Sequence, residues 1–401
     1  MNLELDHRAQ NAGGEPAPAR ALDRLRVLHV GKFYPPHMGG IETHLQALCG
    51  ALKDAVDLRV IVSSDHRHSV EEVVDDVRVL RLGTLLTAFS TPICPGAASR
   101  IRSSNAEVIH IHLPNPAAVL AYLNSGHRGP LVITYHSDTV RQRFLGSLFE
   151  PFLQAALRRS SAIIATSPNY LETSAALQPH RDRCHVIPYG IDIAQFQRCD
   201  PSAVAAVRGR YGDRLVIGVG RLVYYKGFEH LIRAMVEIRG KLLLIGDGPL
   251  RARLEELSRQ LGVTDKVVFA GEIQNEQVIP YYHAAQVFAL PSVARSEAFG
   301  IVQIEAMSAG LPVVNTSLDS GVPFVSLHDQ TGLTVPPADP AALSQAINRL
   351  LDDPALRQKL GAAGTQRAQR EFSLQSMASR TLQLYQTGLG TSFQRRPRRD
   401  P

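Results

Sequence analysis

Short apolar runs alternate with longer helical patterns along most of this chain, and this alternation restricts the folds that it can adopt. The runs are short, predominantly apolar and rich in β-branched side chains, as in parallel strands covered on both faces. We expect strands at Leu25–Gly31, Leu58–Ser63, Val77–Leu82, Val108–Leu113, Leu131–His136, Ala162–Thr166, His185–Pro188, Leu215–Val219, Lys241–Ile245, Val267–Ala270, Val287–Leu290, Val313–Asn315 and Leu333–Val335. Helical patterns lie at Ile41–Leu52, Ala117–Leu123, Arg143–Arg158, Phe228–Ile238, Leu250–Leu261, Asn275–Ala285, Phe299–Ala309 and Pro340–Leu351. The sequence therefore predicts an α/β fold with doubly wound parallel sheets.

The chain length of 401 residues favours two domains over one. A polar segment, residues 190–203, separates the two series of strands and helices and is the expected junction. We predict a first domain over residues 25–197 and a second domain over residues 198–373. A final helix is expected within residues 374–390.

The two ends of the chain and its composition indicate where the protein works. Residues 1–24 are polar and contain glycine and proline without an apolar core, so they are predicted to be a disordered lead-in rather than a signal peptide. Residues 391–401 form a basic tail, with four arginines against one aspartate. The rest of the chain is nearly neutral, which argues against a nucleic-acid partner. The four cysteines show no disulfide spacing and are expected to be reduced thiols of a cytoplasmic protein.

Two glutamates eight residues apart lie in the stretch Pro291–Val314. Glu297 is expected in the loop that follows a strand, and a helix opening at Phe299-Gly300 would place Glu305 facing a cleft. Ligands of doubly wound sheets bind beyond the carboxyl ends of the strands, where a carboxylate can accept hydroxyl hydrogen bonds. The alternative is a helix with two solvated acids, the usual state of acids on helix surfaces.

Two cations, Arg221 and Lys226, follow the predicted strand Leu215–Val219. An arginine fork and a lysine point charge at the carboxyl end of a strand suit a diphosphate. The alternative is a pair of solvated surface charges.

Two further positions could contribute to a site. Gly39-Gly40 precedes a predicted helix, where a bare backbone and a helix N-terminus favour phosphate, although an ordinary turn would look the same. The segment is not G-x-G-x-x-G, so the dinucleotide fingerprint is absent. His136 ends a predicted strand, a place where a histidine is more often structural.

These motifs resemble those of retaining glycosyltransferases of family four. The family's Glu-x-Phe-Gly with a second Glu eight positions after the first is matched by Glu297, Phe299, Gly300 and Glu305, its amino-terminal glycine motif by Gly39-Gly40-Ile41-Glu42, and its Arg-x4-Lys-Gly by Arg221, Lys226 and Gly227. The resemblance implies a GT-B fold, in which two Rossmann-like domains face each other across a cleft and the last helix returns to the first domain. It implies that the acceptor binds mainly to the first domain and the nucleotide sugar to the second.

The resemblance also assigns roles to residues. It implies catalytic roles for Glu297, Arg221, Lys226 and His136. It implies donor contacts from residues in loops and at helix starts, namely Gly39, Gly40, Ile273, Phe299, Gly300, Ile301 and Glu305. The expected reaction moves a hexose, with retention, from a nucleotide-diphosphate sugar to a saccharide or lipid-linked saccharide in surface-polysaccharide or glycolipid synthesis. The segment VARSEAFGIVQIEAM is similar to bacterial mannosyl- and rhamnosyltransferases, which favours GDP-mannose or a GDP-deoxyhexose.

Three alternatives remain open at this point: a UDP-sugar donor, a GT-B sugar-nucleotide 2-epimerase, and a nucleotide-sugar-binding protein without activity. No histidine, cysteine or acid cluster has metal-ligand spacing and no Asp-x-Asp occurs, so we expect no cofactor and a metal-independent reaction.

A lipid-linked acceptor would bring the protein to the anionic inner face of the plasma membrane as a peripheral protein. Residues 141–159 have an apolar side bounded by arginines, formed by Phe144, Leu145, Leu148, Phe149 and Phe152. That side and the basic tail could bind the lipid surface. The alternative is that the apolar side packs against the domain core.

Overall fold

Strands and helices alternate through the part of the chain that the computed structural model describes, residues 24–37, 39–88, 91–137 and 143–387. The strands are β1 (Arg26–Val30), β2 (Asp57–Ser63), β3 (Val70–Val74), β4 (Val77–Leu82), β5 (Leu86–Ala88), β6 (Thr91–Ile93), β7 (Val108–Leu113), β8 (Leu131–Tyr135), β9 (Ala162–Ala165), β10 (Cys184–Val186), β11 (Leu215–Val219), β12 (Lys241–Ile245), β13 (Val267–Gly271), β14 (Val287–Ala289), β15 (Val313–Thr316) and β16 (Gly332–Val335). The α-helices are α1 (Gly40–Leu52), α2 (Ala97–Ser103), α3 (Pro116–Ser125), α4 (Arg143–Arg159), α5 (Pro168–Thr173), α6 (Ile193–Gln197), α7 (Pro201–Tyr211), α8 (Phe228–Ala234), α9 (Arg251–Gln260), α10 (Ile279–Ala284), α11 (Val302–Ser308), α12 (Val322–Val325), α13 (Pro340–Asp352), α14 (Pro354–Glu371) and α15 (Leu374–Thr387). Short 3-10 helices occupy Gln178–Arg183, Tyr224–Lys226 and Asn275–Val278.

Two large sheets organise these elements. The first has the strand order β10-β9-β8-β7-β1-β2-β4-β3 and is parallel except for β3, which pairs antiparallel with β4. The second has the order β13-β12-β11-β14-β15-β16 and is parallel throughout the described residues. In each sheet the chain runs to one edge, returns to the centre and continues outward on the other side. The order therefore reverses between β1 and β7 and between β11 and β14, and ligands of doubly wound sheets bind at such points.

Both sheets are covered by helices, as the unbroken apolar strands predict. One face of the first sheet packs against α1 and α15, and the other packs against α3, α4 and α5. The second sheet lies between α6, α7, α10 and α11 on one face and α8, α9 and α13 on the other. Leu243 and Leu244 are adjacent in β12, point to opposite faces and are both fully buried. Burial of each such side chain contributes about 2 kcal/mol of hydrophobic stabilisation.

The predicted junction, residues 190–203, contains α6 and the start of α7. Ile193 and Phe196, which precede the predicted boundary at residue 198, pack in the core of the second domain. Asp192 caps α6 by accepting a hydrogen bond from the Ala194 amide.

The chain crosses between the domains twice at one place. The Ile191 amide donates to the Phe372 carbonyl, and the Leu374 amide donates to the Ile191 carbonyl. A β-carbon on Gly190 would lie 2.6 Å from the Ser373 carbonyl oxygen, so only a glycine permits this approach. After the crossing, α15 packs against α1 in the first domain. Residues 1–23 and 388–401, which hold the predicted lead-in and tail, lie outside the described residues.

Candidate active site

A buried ion pair lies at the point where the strand order of the second sheet reverses. The loops after β11 and β14 carry Lys226 and Glu297, respectively. Lys226 Nζ lies 2.6 Å from Glu297 Oε2, and each side chain is only 10% exposed. Ser292 Oγ donates a longer hydrogen bond of 3.4 Å to the same carboxylate oxygen. Lys226 and Glu297 are therefore neither solvated surface charges nor separate groups.

The turn after Lys226 requires a glycine. Gly227 has φ of +67°, and a β-carbon at this position would collide with the carbonyl oxygen of Pro291. A residue without a side chain lets the loop after β11 pack directly on the segment that leads to Glu297. This close approach allows the lysine and the glutamate to meet.

Arg221 lies on the same loop, but its side chain is exposed to solvent. Among the described residues, its guanidinium has no hydrogen-bond or ion-pair partner. Burial raises the pKa of Tyr225, the charges of Lys226 and Arg221 lower it, and the charge of Glu297 raises it. All three charged groups therefore act on one tyrosine, and Arg221 is available to an anion that approaches the ion pair.

Glu305 is half-buried in the first turn of α11. The hydroxyl of Tyr282 donates to Glu305 Oε2 at 2.7 Å and fixes the carboxylate. Burial raises the pKa of Glu305, whereas the Tyr282 hydrogen bond and the charge of Lys226 lower it. Glu305 is therefore within electrostatic reach of Lys226, so the two predicted glutamates and the lysine belong to one region.

The start of this helix differs from the prediction. Gly300 has φ of +77°, a left-handed conformation that a helix does not contain, so α11 begins at Val302 rather than at Phe299. Ile301, half-buried, is the N-cap residue. Phe299 is 2% exposed and packs edge-to-face on Tyr189, with ring centroids 4.9 Å apart. The expected donor contact by Phe299 therefore cannot come from its ring, which belongs to the contact between the domains.

The remaining predicted donor residues lie at the ends of other elements. Gly39 is the N-cap residue of α1 and Gly40 its first residue. Gly39 makes no side-chain cap hydrogen bond, so the helix lacks this partner for its first backbone amides. A β-carbon on Gly40 would meet nothing within 4 Å, so the fold itself does not demand glycine there. Ile273 follows β13, is half-buried and packs against the second-domain core.

His136 is buried behind the site, with 2% exposure. Its Nδ1 hydrogen-bonds to the Tyr189 hydroxyl at 2.6 Å, and its Nε2 hydrogen-bonds to His112 Nδ1 at 3.1 Å. Both ring nitrogens are therefore occupied by protein groups, and neither is free for a substrate. In this conformation the residue supports Tyr189, and its direct action on the donor stays a prediction.

The hydrogen bonds continue from His136 into a buried cluster that sequence reasoning missed. His112 Nε2 bonds to His29 Nδ1 at 3.0 Å, and the hydroxyl of Tyr385 in α15 bonds to His29 and to His110 at 3.2 and 2.6 Å. His110 also bonds to the Thr134 hydroxyl at 2.7 Å. The signal available in the sequence is the alternation of His110 and His112 within β7, which places both on the sheet face that packs against α1 and α15.

The fold also brings together histidines that are far apart in the sequence. Two groups of three buried histidines have ligand nitrogens within 4.8 Å of one another: His29 with His110 and His112, and His44 with His112 and His136. Linear spacing could not reveal these groups, because their members come from separate elements.

Comparisons with known proteins place the chain in a family. Residues 38–195 match the model "Glycosyltransferase Family 4", and residues 206–367 match "Glycosyl transferases group 1". The chain is 31% identical over 360 residues to the D-rhamnosyltransferase WbpZ of Pseudomonas aeruginosa, covering 87% of this chain and 92% of that protein. It is 30% identical to the O-antigen chain mannosyltransferase C of Escherichia coli, covering 90% and 98%.

Solved structures show the same fold. The sucrose-phosphate synthase from Thermosynechococcus elongatus aligns with a TM-score of 0.75 at 26% identity, covering 90% of this chain and 98% of that chain. Anabaena Alr3699/HepE, crystallised with UDP, aligns with a TM-score of 0.75 at 20% identity, covering 90% and 100%. The two Rossmann-like domains, the matching family models and the relatives agree. The chain belongs to the GT-B glycosyltransferases that join a family 4 domain to a group 1 domain.

Proposed function

We propose that this hexosyltransferase moves a hexose, with retention of anomeric configuration, from a nucleotide-diphosphate sugar to a saccharide or lipid-linked saccharide. The observation that carries the proposal is the Lys226–Glu297 ion pair, with Arg221 and Glu305 beside it, at the strand-order reversal of the second sheet. A nucleotide sugar complements this arrangement, because its diphosphate pairs with cations and its hydroxyls donate to carboxylates.

The cations and the carboxylates bind different parts of the donor, the diphosphate and the hydroxyl groups, respectively. Arg221 has no protein partner among the described residues, so its fork can bind the diphosphate, and Lys226 adds a second positive charge. Glu297 accepts hydrogen bonds from sugar hydroxyls. Glu305, oriented by Tyr282, accepts those of the ribose. In this proposal the donor binds to the second domain and the acceptor to the first.

Other donor contacts come from the backbone. The backbone amides at the start of α1, at Gly39 and Gly40, and the segment Gly300–Ile301 suit phosphate oxygens. Main-chain groups at Ile273 would face the base.

Transfer occurs on one face of the sugar. The bond from the anomeric carbon to the diphosphate oxygen breaks, the acceptor oxygen bonds to the same carbon, and its proton passes to the leaving phosphate oxygen. Lys226 and Arg221 stabilise the negative charge that develops on this oxygen. His136 contributes by holding Tyr189 against Phe299.

The donor we propose is GDP-mannose or a GDP-deoxyhexose. In support, one relative is named a D-rhamnosyltransferase and another an O-antigen chain mannosyltransferase. A third, from Mycolicibacterium smegmatis and 30% identical, is named a GDP-mannose-dependent phosphatidylinositol monomannoside mannosyltransferase. Their names also favour a role in surface-polysaccharide or glycolipid synthesis. The alternative is a UDP-sugar, since the structural relative Alr3699/HepE was solved with UDP.

The test is incubation of the purified protein with labelled GDP-mannose, GDP-rhamnose and UDP-glucose, with and without a mannose-containing saccharide. We expect label on the saccharide from a GDP-sugar, and NMR of the product should show the anomeric configuration of the donor. Isomerised or released sugar without an acceptor would indicate the 2-epimerase instead. Binding of donor without any turnover would indicate a non-catalytic binding protein.

We further propose a cytoplasmic location, with peripheral binding to the anionic face of the membrane. No helix among the described residues is long and apolar enough to cross a bilayer. The β5–β6 hairpin and its flank expose Leu85, Leu86 and Ile93, and α4 exposes Phe152, although Phe149 of the same helix packs on the core. Co-sedimentation with anionic but not neutral vesicles, weakened by salt, is the expected result, and equal recovery with both would contradict the proposal.

A further inference from the structure

We propose that His44, His112 and His136 form a binding site for a transition metal ion such as zinc. The three residues come from different parts of the first domain: His44 from α1, His112 from β7, and His136 from the residue after β8. All three are buried, with exposures of 5%, 1% and 2%.

The spacing of the nitrogens suits a tetrahedral ion. Zinc binds imidazole nitrogen at about 2.0–2.1 Å, so two ligands of one ion lie about 3.4 Å apart. His112 Nδ1 and His136 Nε2 are already 3.1 Å apart. A nitrogen of His44 completes a group whose atoms all lie within 4.8 Å of one another, and binding of an ion would draw these atoms closer together.

His44 supplies the observation that points to a ligand. Neither of its ring nitrogens has a hydrogen-bond partner, although both are buried. Its ring lies 4.9 Å from that of His136 and 5.7 Å from that of His112, measured between centroids. Buried polar groups nearly always have a partner, and a metal ion would provide one for His44.

The other nitrogens of the two remaining ligands already have the partners that metal-binding histidines normally have. With the ion on His136 Nε2, the Nδ1–H donates to the Tyr189 hydroxyl. With the ion on His112 Nδ1, the Nε2–H donates to His29, and His29 in turn donates to Tyr385. Tyr385 then donates to His110, which donates to Thr134, so one set of tautomers satisfies the whole chain of hydrogen bonds.

The alternative group, His29 with His110 and His112, is a weaker candidate. Each of its ring nitrogens already has a protein partner, so an ion there would break existing hydrogen bonds. The group around His44 breaks only the bond between His112 and His136.

The chemistry of the ligands selects the ion. The three ligands are imidazoles, which bind a metal ion in their neutral form. Three imidazoles without a carboxylate favour zinc, cobalt, nickel or copper over magnesium or calcium. They leave a fourth position for water.

The test uses the full chain without a histidine tag, treated with EDTA and then titrated with Co²⁺ and afterwards with Zn²⁺. We expect one equivalent of Co²⁺ to bind with the intense visible absorption of a tetrahedral complex, and Zn²⁺ to displace it. His44→Phe should weaken binding at least about 100-fold, and Tyr189→Phe about tenfold. If His44→Phe does not fold, His44→Gln serves as the second variant with the same expected direction.

The control is His68→Ala, because His66 and His68 are exposed with stacked rings and could bind ions at the surface. This variant should keep the tetrahedral spectrum and the affinity. Three results would overturn the proposal: no binding of Co²⁺, the weak absorption of an octahedral complex, or binding that is lost in His68→Ala and unchanged in the His44 variant.

Discussion

Replacement of Lys226 by methionine tests the ion pair and the site together. Methionine keeps most of the volume of the lysine stem but removes its charge, so Glu297 remains buried without a partner. At 2.6 Å and an effective dielectric constant of about 20, the pair attracts with about 6 kcal/mol before desolvation is subtracted. Removal of one partner of a buried pair typically costs 3–5 kcal/mol. Because each side chain keeps 10% exposure, we expect about 3 kcal/mol.

A second substitution distinguishes the effect of the unpaired Glu297 charge from a general loss of packing. Glu297→Gln in the Lys226→Met background removes the stranded charge, and the double variant should recover at least half of the lost free energy of unfolding. Lys241→Met is the matched control, since that lysine is exposed, and its effect should stay within about 0.5 kcal/mol.

The assay is urea unfolding of the four proteins and the wild type at pH 7.5, including Glu297→Gln alone to complete the double-mutant cycle. Turnover is measured well below the melting temperature of the least stable protein. Lys226→Met should lower it by about two to three orders of magnitude, as expected for one group that stabilises developing charge. Stability close to wild type in Lys226→Met, or a double variant no more stable than the single one, would refute the account of the ion pair.

Three further predictions concern the donor, metals and pH. Glu305→Gln should weaken GDP-mannose binding about tenfold in calorimetry, because a charged acceptor strengthens a hydrogen bond by about 1–2 kcal/mol. The same variant should be more stable without ligand at pH 7, since burial raises the pKa of Glu305 and so disfavours its charge; an unchanged donor affinity would contradict its role. EDTA should leave turnover intact, and activity lost with EDTA but restored by Mg²⁺ or Mn²⁺ would contradict metal-independent transfer. Burial lowers the pKa of several histidines, so below pH 6.5 these rings stay neutral in the folded chain but bind protons in the unfolded chain. Each buried histidine should therefore lower the free energy of unfolding by about 1.4 kcal/mol for every unit by which the pH falls. Urea unfolding at pH 7.5 and 5.5 measures this loss, which His44→Phe should reduce and a flat profile would refute.

The fold was predictable where an element is buried on both faces. The strands Leu215–Val219 and Lys241–Ile245 match the prediction to the residue, because their apolar runs are unbroken. No such signal marks β3, an edge strand with Val70, Glu71 and Val73 exposed. Helix α14 was also missed, since its polar sequence has only a narrow apolar side.

The candidate site was predictable as a set of residues but not as an arrangement. The predicted strand ends gave the positions of Lys226 and Glu297 in the chain. Their ion pair depends on how two loops pack around Gly227, and the local sequence contains no information about that packing. The hydrogen bonds of His136 go to His112 in β7 and to Tyr189, which are distant from it in the sequence. Prediction of the histidine cluster would have required the strand order, in which β7 lies between β1 and β8, and the position of α1, which brings His44 close to these strands.

Binding of the donor to wild type, Arg221→Ala and Lys226→Met is the measurement that tests the central claim most directly. Titration calorimetry with GDP-mannose, and with UDP-glucose for comparison, reports affinity and stoichiometry, with Lys241→Met as the control. The account predicts one molecule of a nucleotide sugar per chain, normal affinity in the control, and at least about tenfold weaker binding when either cation is lost, since each charged hydrogen bond contributes about 1.5–3 kcal/mol. Equal affinity in all four proteins, or no binding of either nucleotide sugar, would contradict the placement of the donor at the Lys226–Glu297 ion pair.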